Sequence, residues 1–144
     1  MNNKCLGIFD AYTNGDQTVI TNAPLVFNTN RTRVGRSITH QAGSSTFGLN
    51  CPGIYKVDFN GDAAESGTAG DITVQLYVNG VIQPGAEATE DSTATTDIVN
   101  MAFGTTVCVP PSCFTCGNSV SLTFVDTGVG AVFSNAEVVI EQLR

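Results

Sequence analysis

Charge is scarce in this chain of 144 residues: only 13% are Asp, Glu, Lys or Arg, about half the usual share. The surface must therefore be made largely of Thr, Ser, Asn and Gly, and the sequence carries eighteen Thr. Bases are scarcer still. Residues 57 to 143 hold eleven acids and no Lys or Arg, and the net charge is -7. Phosphate binding needs a basic footprint, so this balance argues against nucleic acid as a partner. The single basic cluster, Arg31, Arg33 and Arg36 in "NTNRTRVGR", reads either as a solvated loop or as a patch that docks on an acidic neighbour.

Long apolar runs are absent as well. No stretch approaches the length of a membrane span, so no membrane partner is expected. The opening "MNNKCLGIFD" is too short in apolar residues for a signal-peptide core. Synthesis in a reducing cytosol is the expectation, which favours thiols or metal over disulfides. There is one histidine, His40, and no nucleophile elbow, so a Ser-His-Asp or Cys-His arrangement lacks its parts. His40 is read as structural, and the chain as no enzyme.

Helical periodicity is the remaining absence. Twenty residues are Gly or Pro, and each weakens a helix interior by roughly 1 to 3 kcal/mol. What the chain has instead is alternation. In "DITVQLYVNGV", Ile72, Val74, Leu76 and Val78 share one face, and Asn79-Gly80 supplies a two-residue hairpin turn. "GIYKVDF", "SVSLTFVD" and "AEVVIEQL" repeat the pattern, and further strands are expected at 19–27, 36–41, 45–49 and 96–109. "PGAEATEDSTATTD" (84–97) reads as an acidic loop. Turn signals at intervals of roughly 8 to 12 residues predict an all-β sandwich. At this length one domain forms, burying roughly 68–70% of the unfolded chain's surface.

Several stretches resemble the complement-q/tumour-necrosis-factor-like (TNF-like) jelly roll: "GIYKVDF" its Gly-x-Tyr strand, "VQLYVNG" a strand ending in Asn-Gly, and "AVFSNAEVVIEQL" its last strand. The chain is similar in more detail to the C-terminal domain of collagen-like spore-surface (exosporium) glycoproteins, through "PLVFNT", "GIYKV", "VNGVIQPG" and "VVIEQL", over about residues 23 to 143. The resemblance implies a ten-stranded jelly roll over 23–144 that forms a tight homotrimer. Residues 1–22 would then be an attachment segment or a first strand. Alternation places Ile54, Lys56 and Asp58 on β-strand faces opposite the core, with Glu137, Val139 and Glu141 as their counterparts on the last strand. In the implied trimer these six face the other subunits, and Lys56 pairs with a Glu.

No Gly-X-Y stalk precedes the similar region, which points by analogy to an accessory protein of a phage virion, attached to the major capsid or another virion protein. A spore- or cell-surface trimer binding protein or carbohydrate is the alternative. Five cysteines leave at least one unpaired within the chain. "CFTCG" has the spacing of a zinc knuckle. The implied topology gathers Cys51, Cys108, Cys113 and Cys116, with Cys5 nearby, at one end of the sandwich. Buried thiols, disulfides formed after release and a zinc site all remain open, and each would fasten that end. No other cofactor is expected, although calcium at Asp62, Glu65 or Asp71 is an option because some relatives of this fold bind it.

Overall fold

A computed structural model of the chain describes residues 6–111 and 119–144. Every regular element among them is a strand: β1 (Ile8–Val19), β2 (Ala23–Pro24), β3 (Thr29–Val34), β4 (Ile38–His40), β5 (Phe47–Leu49), β6 (Gly53–Glu65), β7 (Gly70–Val78), β8 (Val81–Ser92), β9 (Val99–Val109), β10 (Val120–Asp126) and β11 (Ala131–Gln142). They form two antiparallel sheets. One has the order β3-β1-β11-β6-β9 and the other β4-β5-β10-β7-β8, with the two-residue β2 at the side of β10. Most sheet neighbours are remote in sequence, because the chain repeatedly crosses from one layer to the other. That is the jelly-roll arrangement.

The alternation seen in the sequence is what closes the sandwich. Phe9, Tyr55, Val57, Phe59, Phe133, Val138 and Ile140 line the inner face of the five-stranded sheet, and Phe47, Leu49, Ile72, Val74, Leu76, Leu122 and Phe124 that of the other; all are essentially inaccessible. Burying an aliphatic or aromatic side chain of this size contributes roughly 1.5–3 kcal/mol, so this double layer dominates the stability. Its centre is aromatic. Phe47 and Phe124 meet edge to face at 6.0 Å, Phe59 and Phe124 stack at 5.6 Å, and Phe27 closes the group edge-on against Phe47 at 5.4 Å. These offset and T-shaped geometries are the ones favoured by the ring quadrupole.

Within the N-terminal segment, Ile8–Val19 form a full strand. β1 runs between β3 and β11, with Phe9 opposite Ile140 and Ala11 opposite Val138. The last residues run beside the start of β1 and of β6: the Gln142 amide donates to the Gly7 carbonyl, and the Ile54 amide donates to the Arg144 carbonyl. Asn79 and Gly80 have φ of 53° and 78°, the left-handed pair that a tight hairpin turn requires, and they join β7 to β8 as the sequence suggests.

Two segments expected to be loops are strands. Residues 84–92 of the acidic stretch belong to β8, which pairs with β7 from Asp71–Asp91 through Gln75–Glu87; only 93–98 connect onward to β9. As the edge of its sheet, β8 keeps Glu87, Glu90 and Asp91 in solvent, and charged side chains on an edge are stable there and discourage further pairing. Thr29–Val34 likewise form the edge strand β3, which pairs with β1, the first-strand alternative for the N-terminal segment.

Candidate functional site

Among the described residues no other element covers the outer face of the five-stranded sheet, and the strand register sorts its side chains into rows. One row runs Ile8, Glu141, Lys56, Thr106, the next Asp10, Val139, Asp58, Gly104, and the next Tyr12, Glu137, Asn60, Ala102. A fourth, Asn14, Asn135, Asp62 and Asn100, is polar: Asn100 and Asn135 donate to the two oxygens of Asp62 at 2.8 and 2.9 Å. At the opposite end the face is greasy. The Leu143 amide donates to the Ile54 carbonyl, Ile54 faces Cys108, and extending the β1–β11 register by two residues sets Leu6 beside Leu143. Leu6 (51%), Leu143 (49%), Ile54 (37%) and Val34 (55%) retain large exposed areas.

The six residues expected at a subunit interface, Ile54, Lys56, Asp58, Glu137, Val139 and Glu141, therefore share this face. Lys56 lies directly across from Glu141 in the register, yet its Nζ donates to Asp58 Oδ2 at 2.7 Å within its own strand. Both side chains are about half exposed, and such pairs contribute about 0–1 kcal/mol. Leu6, Ile8, Val34 and Leu143 escaped the sequence reading. The available signal was parity: counting outward from buried Phe9 puts Leu6 and Ile8 on the outer side.

The three arginines of the expected docking patch separate. Arg31 lies over the outer face, where its Nε donates to Asp10 Oδ2 at 2.9 Å, another nitrogen pairs with Glu137, and its guanidinium sits 4.8 Å from the centre of the Tyr12 ring. A hydrogen bond to Asp10, burial and the Asp10 charge raise the pKa of Glu137, while Arg31 opposes the rise. One buried oxygen of Asp10 lacks a partner among the described residues. Two acids and one guanidinium leave this spot with a net negative charge. Arg33, paired with buried Phe9, projects past the sheet edge toward β4, and Arg36 is exposed in the following turn.

Of the cysteines proposed as metal ligands, Cys51 and Cys108 come to the same end of the sandwich. Cys51 precedes β6 and its carbonyl accepts from the Tyr55 hydroxyl at 2.6 Å, and Cys108 is exposed on β9 opposite Ile54. Cys5, Cys113 and Cys116 lie outside the described residues. Among the described residues no three His, Cys, Asp or Glu side chains gather closely enough to hold a metal ion. That corrects the calcium expectation for Asp62, Glu65 and Asp71: Asp62 is on the outer face of one sheet, Asp71 is in the other, and Glu65 accepts from the Gly67 amide at 2.8 Å. His40 is locked in place. Its ring nitrogens face Asn30 Oδ1 at 2.6 Å and the Ser44 carbonyl at 2.8 Å, and the ring stacks on Phe47 at 4.3 Å. Burial lowers its pKa against the opposing pull of the Ser44 carbonyl.

No protein-family model and no curated protein matches the chain. Solved structures do. Eiger TNF from S. frugiperda superposes with a TM-score of 0.70 at 13% identity, covering 96% of this chain and 92% of that one. Murine APRIL at pH 5.0 gives 0.67 at 9% identity, covering 96% and 99%. The fold is a TNF-like jelly roll. PRD1 vertex protein P5 is similar over 99% of this chain and 100% of its own, with a TM-score of 0.54 and 10% identity. TNF-like topology thus places the greasy row, the Arg31 cluster and the Asn ladder on one unpartnered sheet.

Proposed function

We propose that this TNF-like jelly roll is a non-enzymatic structural and adhesion protein: a homotrimer, closed through the outer face of its five-stranded sheet, that decorates a phage particle. The observation that carries the reading is the row Leu6, Leu143, Ile54 and Cys108, flanked by Val34 and Ile8, exposed at one end of an otherwise complete sandwich. Contiguous exposed apolar side chains mark interaction surfaces. A threefold contact buries three copies of one patch and closes on itself, leaving nothing to propagate. The likeness to a phage vertex protein supports a virion surface as the location and the capsid as the partner, with attachment through the end bearing the cysteines.

A spore- or cell-surface trimer that binds protein or carbohydrate is the second reading, favoured by a polar groove on the other sheet that contains Arg33 and no acid. The two separate experimentally. Quantitative mass spectrometry of purified particles should find the chain at copy numbers that are multiples of three. Its absence from particles, together with recovery from a spore or cell surface, would replace the first reading with the second.

A further inference from the structure

We infer that the groove across β4, β5 and β10 is a binding site for a carboxylate-bearing sugar. The inference does not rest on trimer formation: the groove lies mainly on the six-stranded sheet, and Arg33, its contribution from the edge strand β3, has the parity opposite to the outer face. Its volume is about 580 Å³. Thirteen acids are spread over this chain, yet none lines the groove, whereas Arg33 does. Arg33 has no ion-pair partner among the described residues. A free guanidinium in an acid-free pocket of an acidic protein is set to take a carboxylate, which it meets with two parallel hydrogen bonds.

The rest of the lining is suited to hydroxyls. Thr39, Gly48 and Ser121 form one cross-strand row. The middle position has no side chain, so a trough runs between two hydroxyl-bearing walls; a Cβ on Gly48 would come within 2.7 Å of Thr39 Oγ1. Asn50 Nδ2 donates to Thr39 Oγ1 at 3.1 Å, which leaves the Thr39 proton and the Asn50 carbonyl oxygen to face outward. Thr46 adds another hydroxyl to the lining. The floor is rigid, since His40 and Phe47 beneath it are stacked and both His40 nitrogens are engaged. Alternating donors and acceptors on a fixed floor, with one cation at the end, match a pyranose ring carrying a carboxylate. An acidic peptide needs the cation and not the hydroxyl row.

Amide chemical shifts of the full chain should be followed while trigalacturonate, neutral maltotriose or a tri-glutamate peptide is added, with native mass recorded on the same samples. Trigalacturonate should move Thr39, Gly48 and Ser121, with maltotriose at least tenfold weaker. Arg33→Gln, at an exposed site that leaves the core intact, should weaken trigalacturonate by about fivefold or more. Gly48→Ala should weaken it too, by closing the trough, and Arg31→Gln should not. Equal binding of maltotriose, equal binding of the peptide, or shifts that ignore Arg33→Gln would each overturn the assignment, whatever the native mass shows.

Discussion

Ile54→Asp gives the sharpest test of the sheet face as an interface. Ile54 is the second residue of β6, points outward, and keeps 37% of its surface exposed. Burying that remainder contributes roughly 1 kcal/mol per copy, so Ile54→Ala should cost a trimer about 3 kcal/mol over three copies. Each 1.4 kcal/mol is about tenfold in an equilibrium constant. For three chains in equilibrium with one trimer the midpoint concentration follows the square root of that constant, so Ile54→Ala should raise it by roughly tenfold. An Asp at the same place adds an uncompensated buried carboxylate at several kcal/mol per copy, and Ile54→Asp should stay monomeric at micromolar concentration. Sedimentation equilibrium over a dilution series reads both shifts. Ile20 (70% exposed) and Ile98 (62% exposed) lie at the opposite end of the sandwich, and Ile20→Asp or Ile98→Asp should leave the mass unchanged. An Ile54→Asp protein that keeps the parental mass, with a parental thermal midpoint, would refute the reasoning.

Three further outcomes follow from the same geometry. Asp126 is buried, its Oδ1 accepting from the Gly128 amide at 2.9 Å, and burial pushes its pKa up to about 6 from an ordinary 3.8. The native state then holds a proton that the unfolded chain releases between about pH 4 and 6, so this group's contribution to stability falls as pH rises through that window. Asp126→Asn should therefore gain in Tm relative to the parent between pH 4 and pH 8 by calorimetry; a constant difference would contradict the burial account. At the interface, raised Glu137 takes up a proton on acidification and cancels part of the negative charge left by Asp10, Glu137 and Arg31. The oligomer midpoint measured by light scattering should fall on acidification toward the carboxylate range, and Glu137→Gln should reduce that change. Gly53 has φ of 149°, and a Cβ there would run into the Arg144 carbonyl that accepts the Ile54 amide. Gly53→Ala should lower Tm by several degrees, the strain being about 1–3 kcal/mol.

The sandwich was readable because its core strands alternate cleanly. In β6, β7, β10 and β11 the inward residues are apolar apart from Glu65, Asp126 and Gln142 at the strand ends, and the period of two leaves little choice of face. The edge strands β3 and β8 carry no such signal. β3 and β8 pair on one side only and bury little, so "NTNRTRV" and "GAEATED" look like loops even though most of their residues pair in a ladder. β1 was half legible: "FDAYTNGDQTV" alternates, but its Gly and Asn residues suggest turns, which left an attachment segment and a first strand both open, whereas in the fold Ile8–Val19 pair along β11. Parity correctly placed Ile54, Lys56 and Asp58 on one face with Glu137, Val139 and Glu141. It could not show which carboxylate Lys56 would choose, because side-chain reach along one strand competes with reach across strands at similar distances. The union of Arg31 with Asp10 and Glu137 joins three strands through a bulge between Asp10 and Ala11, and no local pattern announces a bulge.

The central claim is that the outer face of the five-stranded sheet is closed by two further copies of the chain. Sedimentation velocity of the unmodified protein at micromolar concentration tests it most directly. The predicted result is a single species at three times the 15.0 kDa chain mass. A stable species of 15.0 kDa that persists as concentration rises would contradict it.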